Sequence, residues 1–255
     1  MFYDSLAHPT LNGKWINSDG DSFASFVALI EREKLKGACV CGLPGVGQYE
    51  HKSFFDASKI DRRLFPIASL TKTSISKIVE ELNYVKKIGF RAIKIHPRFL
   101  GVFFSSEQLA KIFTHCSKLN LIVYYCSYYH SSIVSMPFED PYWELVKAIK
   151  NSPNLKLVIV HGGGVRLLEY CELARFSDNI LIDLSLTLMK YDGSSIDNDI
   201  QFLFKHFDRK IVVGSDHPEW EIISLKKKIK KLLKGISFEK KNNILFKNII
   251  SFLGI

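Results

Sequence analysis

The sequence predicts an α/β protein built as a closed (β/α)8 barrel, and three observations carry that prediction. Short apolar runs rich in β-branched residues recur eight times along the chain. Amphipathic stretches with helical spacing separate many of them. The length, 255 residues, matches the roughly 250 of a single barrel. Apolar strands alternating with helices belong to a parallel sheet buried on both faces. A doubly wound open sheet of this length uses fewer strands. No linker, repeat or low-complexity tract interrupts the series, so residues 1–255 read as one domain.

In chain order, the first strand is residues 2–6, directly after Met1, and the second is 38–43, which runs into glycine. Residues 64–69 make the third, and the helical pattern of 76–88 leads to the fourth at 92–96. There Ile93 and Ile95 fall on one face and Lys94 and His96 on the other. The same alternation puts Asp4, Leu6 and His8 on one face. Helix 106–118 precedes strand 121–126, helix 143–150 precedes strand 155–161, and helix 165–174 precedes strand 180–185. Helix 197–207 precedes the last strand, 211–214.

Composition narrows the class. Hydrophobic residues make up 47% and charged residues 24%, which excludes a wholly disordered or collagen-like chain. No apolar run reaches the roughly 18 residues of a membrane span, and no leader pattern opens the chain. The five cysteines, Cys39, Cys41, Cys116, Cys126 and Cys171, sit mostly in apolar runs and read as reduced core thiols. These features predict a cytoplasmic protein. The formal charge is +9, yet without Lys226, Lys227, Lys228, Lys230, Lys231 and Lys234 the balance falls to 29 basic against 26 acidic residues. In that segment Leu225, Ile229, Leu232 and Leu233 recur at i, i+4, i+7 and i+8, the pattern of a surface helix covering a core. A nucleic-acid partner is therefore not expected, and a small molecule is.

A barrel confines chemistry to the C-terminal ends of its strands. Those ends carry His8, Lys94, His96, Cys126, His161, Ser185 and Asp216. Such a set is not what a packed core needs, because a buried ionisable group costs several kcal/mol unless it is paired or ligating. Their order along the chain, Asp4-Ser-Leu-Ala-His8, Gly89-Phe-Arg-Ala-Ile-Lys-Ile-His-Pro97, Val160-His-Gly-Gly163 and Val213-Gly-Ser-Asp-His-Pro218, resembles the amidohydrolase superfamily, in its amidohydrolase-related (type 2) branch. The tail from Asn243 to Gly254 resembles that branch's closing helix.

The resemblance implies a TIM barrel with a mononuclear divalent metal, commonly zinc, which lowers the pKa of a bound water and polarises the substrate. It implies metal ligation by His8, Asp216 and His161, and catalysis by Asp216 and His161. Two positions depart from the pattern. Leu6 stands where the first His of a His-x-His pair belongs, and Cys126 where a fifth-strand His belongs. Cys126 is either a fourth metal ligand, as a thiolate, or a small packed thiol. Lys94, His96 and Arg98 read as a cationic group that fixes an anionic substrate; pairing of Lys94 with Asp4 is the competing role. The leading function is a metal-assisted hydrolase cutting an amide, lactone or ester bond in a small anionic molecule. A decarboxylase on the same site and a degenerate, non-catalytic ligand-binding barrel are the alternatives.

The glycine-rich Gly42-Leu-Pro-Gly-Val-Gly47 lacks the Lys-Ser/Thr ending of a phosphate loop and reads as a strand-to-helix loop at the active face. Tyr124, Tyr125, Tyr128, Tyr129 and His130 cluster after the fifth strand, to stack on a ring or to pack a loop. No serine sits in a Gly-x-Ser-x-Gly elbow. His51, His115 and His206 read as solvated or structural, and His217 as facing away from the pocket.

Overall fold

Eight parallel strands, each hydrogen-bonded to the next in chain order, surround a packed interior in the computed structural model, which describes residues 1–130, 136–137 and 139–255. They are β1 (Tyr3–Ala7), β2 (Gly37–Cys41), β3 (Leu64–Ser69), β4 (Ala92–Ile95), β5 (Ile122–Cys126), β6 (Leu157–Val160), β7 (Ile180–Asp183) and β8 (Ile211–Val212). The ring is closed by contacts between the first and last strands. Ser5 N donates to Val213 O at 3.0 Å, Asp216 N to Leu6 O at 2.9 Å and His8 N to His217 O at 2.7 Å. Gly214 permits that approach, since a Cβ there would lie 2.7 Å from Ser5 Oγ.

Around the strands run α1 (Phe23–Arg32), α2 (His51–Ser58), α3 (Ile75–Ile88), α4 (Pro97–Leu100), α5 (Ser106–Lys118), α6 (Pro141–Lys150), α7 (Leu167–Arg175), α8 (Thr187–Lys190), α9 (Ile196–His206), α10 (Ile222–Leu232), α11 (Phe238–Asn242) and α12 (Asn248–Leu253). Among the described residues no helix is long and apolar enough to cross a membrane. The longer helices start on side-chain caps where the sequence supplies them. Ser22 Oγ accepts from Ser25 N, and Ser105 with Gln108 forms a reciprocal capping box. All five cysteines are free and buried.

Strand alternation divides the core in two. Cys39 and Cys41, Phe65 and Ile67, Ile122 and Tyr124, and Val158 and Val160 fill the barrel interior, while residues such as Val40, Ile93, Ile95 and Ile159 pack outward against the helices. Ile249, Phe252 and Leu253 of α12 plug the end of the barrel opposite the strand C-termini, which is the place of the closing helix anticipated from the tail. Alternation fails in β1. The β1–β2 register shifts between Asp4 and Ala7, so Tyr3 and Leu6 both pack inside. The irregularity re-aims the residues that follow. The helices α1 and α2 are additional to those the periodicity predicts.

The lysine-rich segment is the amphipathic helix α10, with one departure from its pattern. Lys228 lies on the buried side, where its ammonium reaches Asp192 and, at 2.5 Å, Asp197. His51 is also buried. Its Nε2 meets Glu81 Oε1 at 2.9 Å and its Nδ1 meets Tyr49 Oη at 2.8 Å. Glu81 further accepts from Thr71 N, Thr71 Oγ1 and Lys72 N. This one carboxylate therefore fixes the chain where it leaves β3. Glu81→Ala should destabilise the fold by about 2–4 kcal/mol, because it strands several buried donors at once. Urea unfolding measures it, and a loss below about 0.5 kcal/mol, typical of a surface change, would contradict this assignment.

Candidate active site

The strand C-termini open into a cavity of about 560 Å³ lined by His8, Lys94, His96, Arg98, His161 and Asp216, together with Trp15, Tyr128, Lys190 and Glu219 among others. Of the residues singled out at strand ends, His8, Lys94, His96, His161 and Asp216 are brought to one mouth, while Cys126 and Ser185 lie buried behind the lining. His161 and Asp216 both take left-handed backbone, with φ of +67° and +54°. That conformation is uncommon outside glycine. It turns the chain just after β6 and four residues after β8, each time at the residue whose side chain enters the cavity, and backbone strain of this kind concentrates at functional sites.

The backbone partners decide which nitrogen of each histidine carries a proton. His8 Nδ1 lies 2.6 Å from Cys41 O, a distance that requires Nδ1–H to donate. Its Nε2 is then left as an acceptor facing the cavity. Lys94 Nζ lies 3.4 Å from that Nε2, and Asp216 Oδ1 lies 3.4 Å from it on the salt-bridge side. Burial first, and the Lys94 charge second, press the His8 pKa down to about 4, so the ring is neutral. Trp15 stacks on it with centroids 5.3 Å apart. Burial pushes the Asp216 carboxyl up, but the positive groups around it, His161 first, outweigh burial and hold it well below its usual range.

His161 is fixed in the same manner. Its Nδ1 donates to Ser185 O at 2.9 Å, and its backbone N donates to Asp183 Oδ2 at 3.3 Å. Asp183 also accepts from Ser5 Oγ and Ser185 Oγ, while Asp4 accepts from Ser215 N at 2.8 Å and Ser215 Oγ at 2.5 Å. Burial raises both carboxyls, Asp4 to about 7. Asp4 thus bonds serine and not Lys94, which removes the competing role for that lysine. Burial alone would lower His161, yet Asp216 and Cys126 beside it raise its pKa above 6.5. The Cys126 thiol donates to Tyr128 O at 3.8 Å; burial pushes it up, and the imidazoles of His96 and His161 override that and hold it well below 9. His96 Nδ1 accepts from Phe99 N at 3.4 Å, so Nε2 carries the ring proton.

The glycines after His161 exist for geometry. Gly162, Gly163 and Gly164 have φ of +55°, +76° and +61°, and a Cβ on Gly163 would lie 2.1 Å from Cδ2 of the buried Tyr170. His217 points away, to Asp21 Oδ2 at 2.7 Å and the ring of Phe26, as alternation predicts. Leu6 packs in the barrel interior. Sequence reasoning missed Trp15, Lys190 and the carboxylate Asp183. Only Asp183 carries a signal, as an acid ending the apolar run Ile180–Asp183.

The family model described as Amidohydrolase matches residues 40–253. The chain belongs to the amidohydrolase family. No curated protein matches it. Among solved structures it is similar to an uncharacterised TIM-barrel protein from Bordetella bronchiseptica (TM-score 0.79, 13% identity, 100% of this chain and 99% of that one). It is also similar to a probable 2-pyrone-4,6-dicarboxylic acid hydrolase from Acinetobacter baumannii with citric acid bound (0.70, 18%, 100% and 99%). A third is dihydroorotase from Campylobacter jejuni (0.68, 15%, 100% and 83%). At these identities the structures establish the fold, and family membership supports a hydrolase.

Amidohydrolases generally bind divalent metals, and the donor set tests whether this one fits. The tautomers suit ligation, since both His8 and His161 turn Nε2 inward. The donor count does not. Among the described residues no three His, Cys, Asp or Glu side chains converge as a ligand group. The ligand set expected from the resemblance, His8, Cys126, Asp216 and His161, does not form a ligand group among the described residues: Lys94 sets its own positive charge against His8 Nε2, and Cys126 lies buried beneath the cavity lining. In this arrangement the residues do not fit the metal.

Gly163→Ala should cost ~2 kcal/mol or more, since a left-handed φ and a steric clash add. Gly193→Ala, at φ +82° with nothing within 4 Å, should cost about 1 kcal/mol from strain alone. Urea midpoints compare the two; equal losses would mean the Tyr170 contact constrains nothing.

Proposed function

We propose that this amidohydrolase hydrolyses an amide, lactone or ester bond in a small anionic molecule, with Asp216 as general base and His161 as general acid. The observation that carries this is the pairing of two acceptors, His8 Nε2 and Asp216 Oδ1, 3.4 Å apart with the Lys94 ammonium beside them. With His8 neutral, its Nε2 accepts from Lys94, and a water donating to Asp216 Oδ1 beside them is held with its oxygen ready to attack. Asp216, ionised even in acid, takes the proton. Lys94 supplies the fixed positive charge for the oxyanion that develops on the attacked carbonyl, the task that gains most in a site closed to water. His161, its proton retained by Asp216 and Cys126, donates to the leaving atom. His96 and Arg98 complete the cationic wall that fixes the substrate. The free, buried thiols agree with a cytoplasmic location.

Asp216→Asn keeps the shape and removes the base. On a panel of small lactones, esters and amides bearing a carboxylate, it should lower kcat by at least ~10²-fold while the melting temperature holds. Unchanged turnover with lowered stability would instead make Asp216 a structural cap. The pH profile gives a separate check. His161 must be protonated to act, and its raised pKa keeps it so beyond 6.5. kcat/KM should therefore fall on the alkaline side of 6.5. Asp216 is already ionised below 3.8, so it contributes no acid limb between roughly pH 5 and 7. An activity that rises through that window would contradict the assignment.

A further inference from the structure

Lys94, Arg98 and Lys190 all line the cavity, and among the described residues none has a carboxylate within 4.0 Å. Residues 131–135 and 138, outside the described set, are Ser, Ser, Ile, Val, Ser and Phe and carry no carboxylate either. Lys94 is engaged with His8 on the floor. The other two cations share a different anchor. Arg98 Cζ lies 5.1 Å and Lys190 Nζ 5.5 Å from the ring centroid of Tyr128. Arg98 Nε is moreover buried with no hydrogen-bond partner among the described residues. Of the carboxylates that line the cavity, Asp216 faces His8, and Glu219 accepts from Trp15 Nε1 at 2.7 Å.

Two like charges set on one ring repel each other unless an anion joins them, and an orphaned guanidinium donor is costly to leave unmade. The ring itself is well placed. Gly164 lets it lie close, since a Cβ there would be 3.3 Å from both Tyr128 Cδ2 and Tyr191 Oη. Tyr128 also meets the His161 ring edge to face at 6.4 Å. The pair of cations thus stands one aromatic ring away from the proposed acid.

We propose that Arg98 and Lys190, mounted on Tyr128, form a second anion subsite, so that the substrate carries an anionic group, carboxylate or phosphate, remote from the bond that is cleaved. The position of that bond rests on the hydrolase assignment above; the subsite is a statement about binding alone. The substrate class that follows is a small dianion, held at one end by Arg98 and Lys190 and at the other over Lys94.

Calorimetric titration at fixed ionic strength tests this with three probes: glutarate, phosphonobutyrate and the monoanion butyrate. At least one dianion should bind about ten-fold or more tighter than butyrate, and which one does identifies the second group. Lys190→Met and Arg98→Met should each remove about ten-fold of dianion affinity and cost butyrate clearly less, while Lys190→Arg should retain the discrimination. Equal affinity for all three probes, or equal losses for mono- and dianion in the variants, overturns the subsite. Dianion discrimination in a chain that cleaves nothing on the panel overturns the hydrolase assignment and leaves the subsite standing.

Discussion

The Lys94 ammonium is buried on the floor of the barrel mouth, 1% exposed and without a carboxylate in salt-bridge contact among the described residues. A charge removed from water so completely costs several kcal/mol unless its surroundings answer it. His8 Nε2 at 3.4 Å does so in part, and it can because Cys41 O holds the other ring nitrogen protonated. The carboxylate of Asp216 supplies the compensating field. Strand β4 thus delivers a cation where a metal would otherwise be sought, and the remaining polar groups are arranged around that charge. The histidines are pinned by backbone carbonyls, and Asp4 and Asp183 are saturated by serine hydroxyls one layer below.

This explains how a site with Leu6 and Cys126 in place of two histidines remains coherent. Leu6 extends the apolar interior under His8, so nothing is left unpaired where a ligand is missing. Asp216, and after it Cys126, raise the His161 pKa above the ordinary histidine value, against the burial that would lower it. Of the two departures from the family pattern, one places an apolar side chain in the barrel interior and the other a buried thiol beneath the cavity lining.

Much of this was legible in the sequence because barrel topology turns a one-dimensional list into a place. Lys94 and His96 share a face by strict alternation, and His161 and Asp216 end apolar strands before glycine or proline, so their convergence follows from the strand count. What alternation does not capture stayed hidden. The β1 irregularity between Asp4 and Ala7 is a register effect with no residue signature. Lys228 is buried because two aspartates on a neighbouring segment receive it, and helical periodicity alone assigns it to the solvent side. Trp15 arrives on the loop before α1 and Lys190 at the end of the short helix α8, and the path of each is set by contacts made elsewhere. The ligand set implied by resemblance has the same blind spot, since the motif names the donors and says nothing of the lysine that lies against one of them.

The central claim is that Lys94 supplies the positive charge of this site. Metal analysis of the purified, active chain, paired with turnover before and after exhaustive chelation, tests it most directly. The account predicts metal well below one ion per chain, turnover indifferent to chelation, and loss of turnover in Lys94→Met. A stoichiometric divalent ion whose removal abolishes turnover would contradict it.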